Sequence, residues 1–264
     1  LSAAENEIEA ITSRVSWQWL PDSRVMDSAN AINLFGLSAA NQQDDAARTT
    51  PFERWAEQQQ LGFRSLQDKH QLAAILHASY DWLCKTPNFL GRRLHYQSQI
   101  PESVAQAQQL LHMDTRSANW LHAWQPLMPA DDPALGKEQR ERVALEKEAA
   151  CFLASRTVQN LRELMPRIAC PNDTLEILLA AWRSAEIYSQ MFSRVAAAVT
   201  DVLWLDHYGA NSLPATTLQR HQQHLHEYAE TLAHWLAHPP AGGPLFLPLL
   251  LSPARLTQFA ESLR

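Results

Sequence analysis

Residues 173–209 read DTLEILLAAWRSAEIYSQMFSRVAAAVTDVLWLDHYG, and this stretch decides the fold. Leu178, Ala181, Ala185, Tyr188, Phe192, Val195, Val199 and Val202 follow one another at steps of three and four. That spacing keeps an apolar stripe on one side of an α-helix. Asp173 and Glu176 stand in capping-box relation, which predicts the start. Gly209 can adopt a positive φ, which predicts the end. Such a helix is about 50 Å long at 1.5 Å per residue. Its stripe calls for equally long partners from the rest of the chain.

The flanking sequence supplies them. Thr50-Pro51-Phe52-Glu53 is an N-cap followed by proline at the first helical position. The pattern Phe52, Trp55, Phe63, Leu66, Ala73, Leu76, Tyr80, Leu83 predicts one long helix or two nearly collinear ones, with Gly62 as a kink. Pro101 predicts the start of another, with Val104, Ala107, Leu111, Ala118, Leu121 and Trp124 on one face. Asp132-Pro133 opens a third. Its charged run KEQRERVALEKE (137–148) reads as a solvated face, and its apolar face carries Val143, Ala150, Leu153, Val158, Leu161 and Leu164. After 173–209, a last long helix is predicted over 215–237, with Leu218, Leu225, Tyr228, Leu232 and Trp235 inward. Short helices are expected near Ile8–Ile11–Val15, over 23–35 and over 253–263.

The predicted class is therefore all-α: a bundle of about five long amphipathic helices with short flanking helices and a proline-rich extended C-terminal segment. Seven glycines against 15 prolines agree with this, since few hairpin turns can be built and helix ends are well punctuated. A single domain over 1–264 is predicted, with a hinge at 126–133 dividing 1–125 from 134–264. Five Trp-Leu pairs, at Trp19, Trp82, Trp120, Trp204 and Trp235, have unequal spacings and so form no repeat; each is expected to plug a helix end into the core.

The net charge of −6 argues against a nucleic-acid footprint. No run reaches the ~18 apolar residues of a membrane span. Cys84, Cys151 and Cys170 are scattered and odd in number, which fits reduced thiols and a cytoplasmic location. The chain opens on Leu1 rather than Met, which suggests a trimmed or processed product.

Chemistry-bearing motifs are sparse. His226, Glu230, His234 and His238 form a row at steps of four on the last long helix. These are metal-ligand types, but the row lies away from the leucine stripe, which places it toward solvent. His221 falls on the apolar stripe and is expected to hydrogen-bond a carbonyl. Asp206-His207 precedes Gly209, where a histidine suits a helix C-terminus. No Glu-x-x-His, Gly-x-Ser-x-Gly, Walker loop or His-Glu-x-x-His occurs, so no di-iron, hydrolase, nucleotide or zincin site is written. No cofactor is called for.

These observations point to a non-catalytic protein–protein interaction component, an adaptor, scaffold or assembly part, with a protein partner or self-association. The expected contact residues are Trp235 and the tail residues Leu245, Phe246, Leu247, Leu249 and Leu250. The alternative is a metal- or small-molecule-binding helical protein that uses the row His226/Glu230/His234/His238.

Overall fold

The computed structural model describes residues 51–85, 88–89, 92–93, 100–113, 133–171, 173–238 and 252–263. These residues are mostly helical. The elements are α1 (Pro51–Gln58), β1 (Gly62–Phe63), α2 (Leu66–Lys85), β2 (Asn88–Phe89), β3 (Arg92–Arg93), α3 (Val104–Met113), α4 (Pro133–Leu164), β4 (Ile168–Ala169), α5 (Thr174–Tyr208), α6 (Thr217–Ala237) and α7 (Pro253–Glu261). Thr50, Asp132, the helices expected within 1–50, Trp19, Trp120 and the 126–133 junction up to Asp132 lie outside the described residues.

The stretch 173–209 forms the 35-residue helix α5. It is not buried on one stripe. Besides Leu178, Ala185, Tyr188, Phe192, Val195 and Val199, the helix buries Leu175, Leu179, Trp182, Ile187, Met191 and Ala198, among others, so cover comes from nearly every side. Ala181 and Val202 on the expected stripe are only partly buried. A helix apolar on most of its circumference has to be an interior helix. The capping box is not formed: Asp173 occupies the N-cap, but its side chain makes no cap hydrogen bond. Gly209 does end the helix, with φ 90° and ψ 165°, a region essentially confined to glycine.

Two apolar clusters meet along α5. Its first half, Leu175 to Ala185, packs with Trp55, Leu61, Leu72, Ile75 and Leu76 from α1, α2 and their connection, and with Ala154, Val158, Leu161 and Leu164 of α4. Its second half, Ile187 to Val199, packs with Ile100, Val104 and Ala107, with Val143 of α4, with Leu225, Tyr228 and Leu232 of α6, and with Leu256 and Phe259 of α7. The early part of α4 thus meets the later part of α5 and the late part of α4 meets its start, so the two helices run antiparallel. Trp82 touches both clusters. Its Nε1 donates to Ser189 Oγ at 2.6 Å, and its ring lies 6.0 Å from Trp182 and 6.2 Å from Tyr188. Trp82 and Trp235 do pack against the core, as the Trp-Leu pairs suggested.

Of the two expected forms of the first long segment, two separate helices are found, α1 and α2. Gly62 lies in β1, not in a helix, and pairs antiparallel with Ala169; Phe63 pairs with Ile168. A Cβ on Gly62 would stand 3.2 Å from the Ala169 Cβ, so glycine permits this close approach. Helix α2 restarts with a cap: Ser65 Oγ accepts from Asp68 N at 3.1 Å and donates to Asp68 Oδ2 at 2.8 Å. Buried Asp68 also receives Arg167 at 2.9 Å, and Arg167 donates to Gln71 Oε1, which fixes α2 to the end of α4. Leu66, assigned inward from its spacing, is exposed because it occupies the first position of this restarted helix.

At the other end, α7 seals α3. Arg255 donates to Ile100 O and pairs with Glu102 at 2.9 Å, while Val104 N donates to Ser262 Oγ at 3.1 Å. Ser252 caps α7 by accepting from Arg255 N. Among the described residues, no helix is long and apolar enough to cross a membrane.

Phe192 is fully buried at the centre of the second cluster. Phe192→Ala should lower unfolding free energy by about 3–5 kcal/mol. Denaturant titration measures this; a loss under 1 kcal/mol would contradict the packing described.

Candidate functional site

Among the described residues, two buried polar groupings and one exposed apolar face are the candidate sites. Asp201 on α5 is buried, 5% exposed. Its Oδ1 accepts from Arg140 Nε of α4 at 2.5 Å, and its Oδ2 contacts His221 Nε2 of α6 at 2.8 Å. An ionised carboxylate can only accept, so Nε2 carries the proton in this pair. His221 therefore binds a carboxylate and not the expected carbonyl; an acid one helix away satisfies it on the apolar stripe. Burial pushes the Asp201 carboxyl up as the largest single effect, but hydrogen bonds from His221 and Arg140 and their charges outweigh it and hold it below its ordinary value. The arrangement joins α4, α5 and α6 at one point. Arg140 also lies over the Trp204 ring at 5.8 Å, and the Trp204 and Tyr208 rings meet at a tilt with centroids 4.5 Å apart.

The second feature lies about two turns along α4. Lys147, placed on a solvated face by the charge pattern, is buried instead, with Nζ donating to Glu146 Oε1 at 2.8 Å. The run 137–148 is thus solvated only on its outer side, because Lys147 falls on the same face as Val143 and Ala150. Burial holds the Lys147 ammonium below its ordinary range, against the pull of Glu146. Cys151, one turn on, is a free thiol pushed up by burial against Arg194 and Lys147. A thiol shifted in that direction stays protonated and is a poor nucleophile. Arg194 sits 4.2 Å over the Tyr228 ring, and Tyr228 Oη donates to Ile187 O at 2.9 Å. Arg194 and Tyr228 tie α5 to α6, while Lys147 and Glu146 pair within α4.

The third feature is an outer face. Leu145 and Phe152 of α4 are 63% and 65% exposed. They stand seven residues apart, two turns along one side of the helix, with exposed Ala149 between them. Glu141 and Arg156 flank them, and Arg156 packs 6.0 Å from the Phe152 ring. Isolated exposed leucines such as Leu66 are ordinary. Two large apolar side chains aligned on the outer face of a 32-residue helix form a ridge that can be bound. Sequence reasoning missed this ridge because it assigned α4 a charged outer face; the signal available was the seven-residue spacing of Leu145 and Phe152 opposite the Val143–Ala150–Leu161 stripe.

The histidine row lies on α6. His226 is partly buried, and Glu230, His234 and His238 are exposed. The His234 and His238 rings are 5.0 Å apart. Among the described residues, no group of three or more His, Cys, Asp or Glu side chains is arranged to hold a metal ion. Asp206 accepts from Gln108 of α3 at 3.0 Å, and His207 lies edge-on to Tyr208. Trp235 is partly buried, 6.2 Å from the Tyr228 ring, so it serves the core side of α6. Leu245, Phe246, Leu247, Leu249 and Leu250 lie outside the described residues.

Comparisons with family models, with curated proteins and with solved structures returned no match to this chain.

Two pH predictions follow from the buried charges. Asp201 is held below its ordinary value, so its contribution is complete above the usual carboxyl pKa of about 3.9 and is lost as pH falls through the depressed value. Asp201→Asn should cost about 1.5–3 kcal/mol at neutral pH and flatten the acid limb of a stability–pH curve; an unchanged acid limb would count against the three-helix tie. Lys147 shifts the opposite way in consequence. Between its lowered value and about 10.4 the unfolded chain binds the extra proton, so stability should rise with pH. Lys147→Met should remove that alkaline rise, measured by denaturant midpoints across pH 7–10.

Proposed function

We propose that this chain is a non-catalytic interaction protein, an adaptor, scaffold or assembly component, built as a helical bundle that offers the outer face of α4 to a protein partner. The observation that carries this reading is the aligned exposure of Leu145 and Phe152 on one side of a helix whose other side is sealed into the core. Contacts of this kind draw their energy from a few large apolar anchors excluded from water, with charges at the rim setting orientation. Glu141 and Arg156 stand where such rim charges belong. The rigidity of α4, fixed along its length to α5 and α2, supports the reading further, because a preorganised helix loses little entropy on docking. The buried carboxylates support it from the other direction: Asp201 and Asp68 are both engaged in ion pairs between elements. A cytoplasmic location and a proline-broken tail that adds to the contact belong to the same proposal.

In an extract of its own cells the chain should sediment faster than a 29.9 kDa monomer. The double variant Leu145→Glu/Phe152→Glu should return it to monomer mass while its helical circular dichroism and melting midpoint stay within a few degrees of the parent. Monomer mass for the unmodified chain, or a large species indifferent to both substitutions, would overturn the proposal.

A further inference from the structure

We infer that the partner of the α4 face is a second copy of this chain, docked antiparallel along α4 about a twofold axis beside the Glu148–Ala149 peptide. The inference rests on the interaction reading above and names the partner.

The argument is self-complementarity. A twofold interface uses the same patch twice, so each residue must suit the one it meets across the axis. With the axis between Glu148 and Ala149, positions equally distant on either side face each other. Leu145 then meets Phe152 of the second copy, and Phe152 meets its Leu145. One turn further out, Glu141 meets Arg156, and the reciprocal pair forms at the other end. The centre is therefore apolar and both ends carry opposite charges. Glu141, Leu145, Ala149, Phe152 and Arg156 are all exposed and advance by four, four, three and four residues, which keeps them on one face.

A parallel docking fails the same examination. It would set Glu141 against Glu141 and Arg156 against Arg156, and like charges across an interface suppress pairing. Ala149 is small where the two helices would come closest, which permits an interaxial distance near the short end of the usual ~8–10 Å. The Lys137–Glu141 contact at 3.9 Å is long and exposed, so Glu141 is not committed within its own chain. One residue opposes the pairing: Glu148 of each copy comes near its twin at the rim of the axis. That feature makes the register testable, because removing the charge should tighten the pair.

The test is sedimentation equilibrium of the purified full chain over a range of concentrations. Dimer at twice 29.9 kDa is expected at micromolar concentration. Phe152→Glu should raise the dissociation constant at least tenfold. Glu141→Arg and Arg156→Glu should each raise it several-fold, the double variant Glu141→Arg/Arg156→Glu should restore it, and Glu148→Gln should lower it. A purified chain that stays monomeric, a dimer indifferent to Phe152→Glu, or a double charge variant no better than the singles would each overturn the inference. A monomeric purified chain that is nevertheless part of a Phe152-dependent larger species in cell extract would overturn only the second-copy assignment and leave the interaction reading in place.

Discussion

Burial of α5 on nearly all sides is the constraint on which the rest depends. A 35-residue helix that buries Leu175, Trp182, Ile187, Met191 and Phe192 at different angles cannot be covered by one neighbour. The chain meets this demand in two halves. Helices α1 and α2 with the end of α4 cover the first half, and α3, α6 and α7 with the start of α4 cover the second. Trp82 sits where the halves join and belongs to both. The two clusters are joined through Trp82, and ion pairs tie the elements together: buried Asp201 across three helices, Arg167 with buried Asp68 at one end, and Arg255 with Glu102 nearer the surface at the other.

The helix class was legible because three-and-four spacing survives in every long element, and prolines and Gly209 punctuate them. What was not legible has physical reasons. Period alone finds the most apolar face; it does not reveal that the opposite faces of α5 are covered too, since Arg183, Ser184 and Asp201 read as solvated until their surroundings are known. Gly62 looked like a weak helix residue because its partner strand, Ile168–Ala169, lies more than a hundred positions away in sequence. The α2 cap was in plain view as Ser65 followed three residues later by Asp68. Lys147 misled for the reason charge runs often do: a run counts charges, and a helix sorts them by angle.

The candidate sites divided in the same way. The histidine row is legible as a spacing, and its exposed members lie on the surface of α6; a metal needs further donors, which spacing along one helix does not supply. The pairing of His221 with Asp201 required knowledge of how α5 and α6 pack. The Leu145–Phe152 ridge was hidden by its own flanking charges, which are the groups proposed here to orient a partner.

One helix is buried on nearly every side, and another is proposed to dock through the exposed Leu145 and Phe152. Amide hydrogen exchange on the full chain, at dilute and concentrated conditions, tests both halves at once. The account predicts that the amides of α5 are among the slowest to exchange at either concentration, and that residues 141–156 of α4 gain protection as concentration rises. Exchange in α5 as fast as on exposed helices, or no concentration dependence over 141–156, would contradict it.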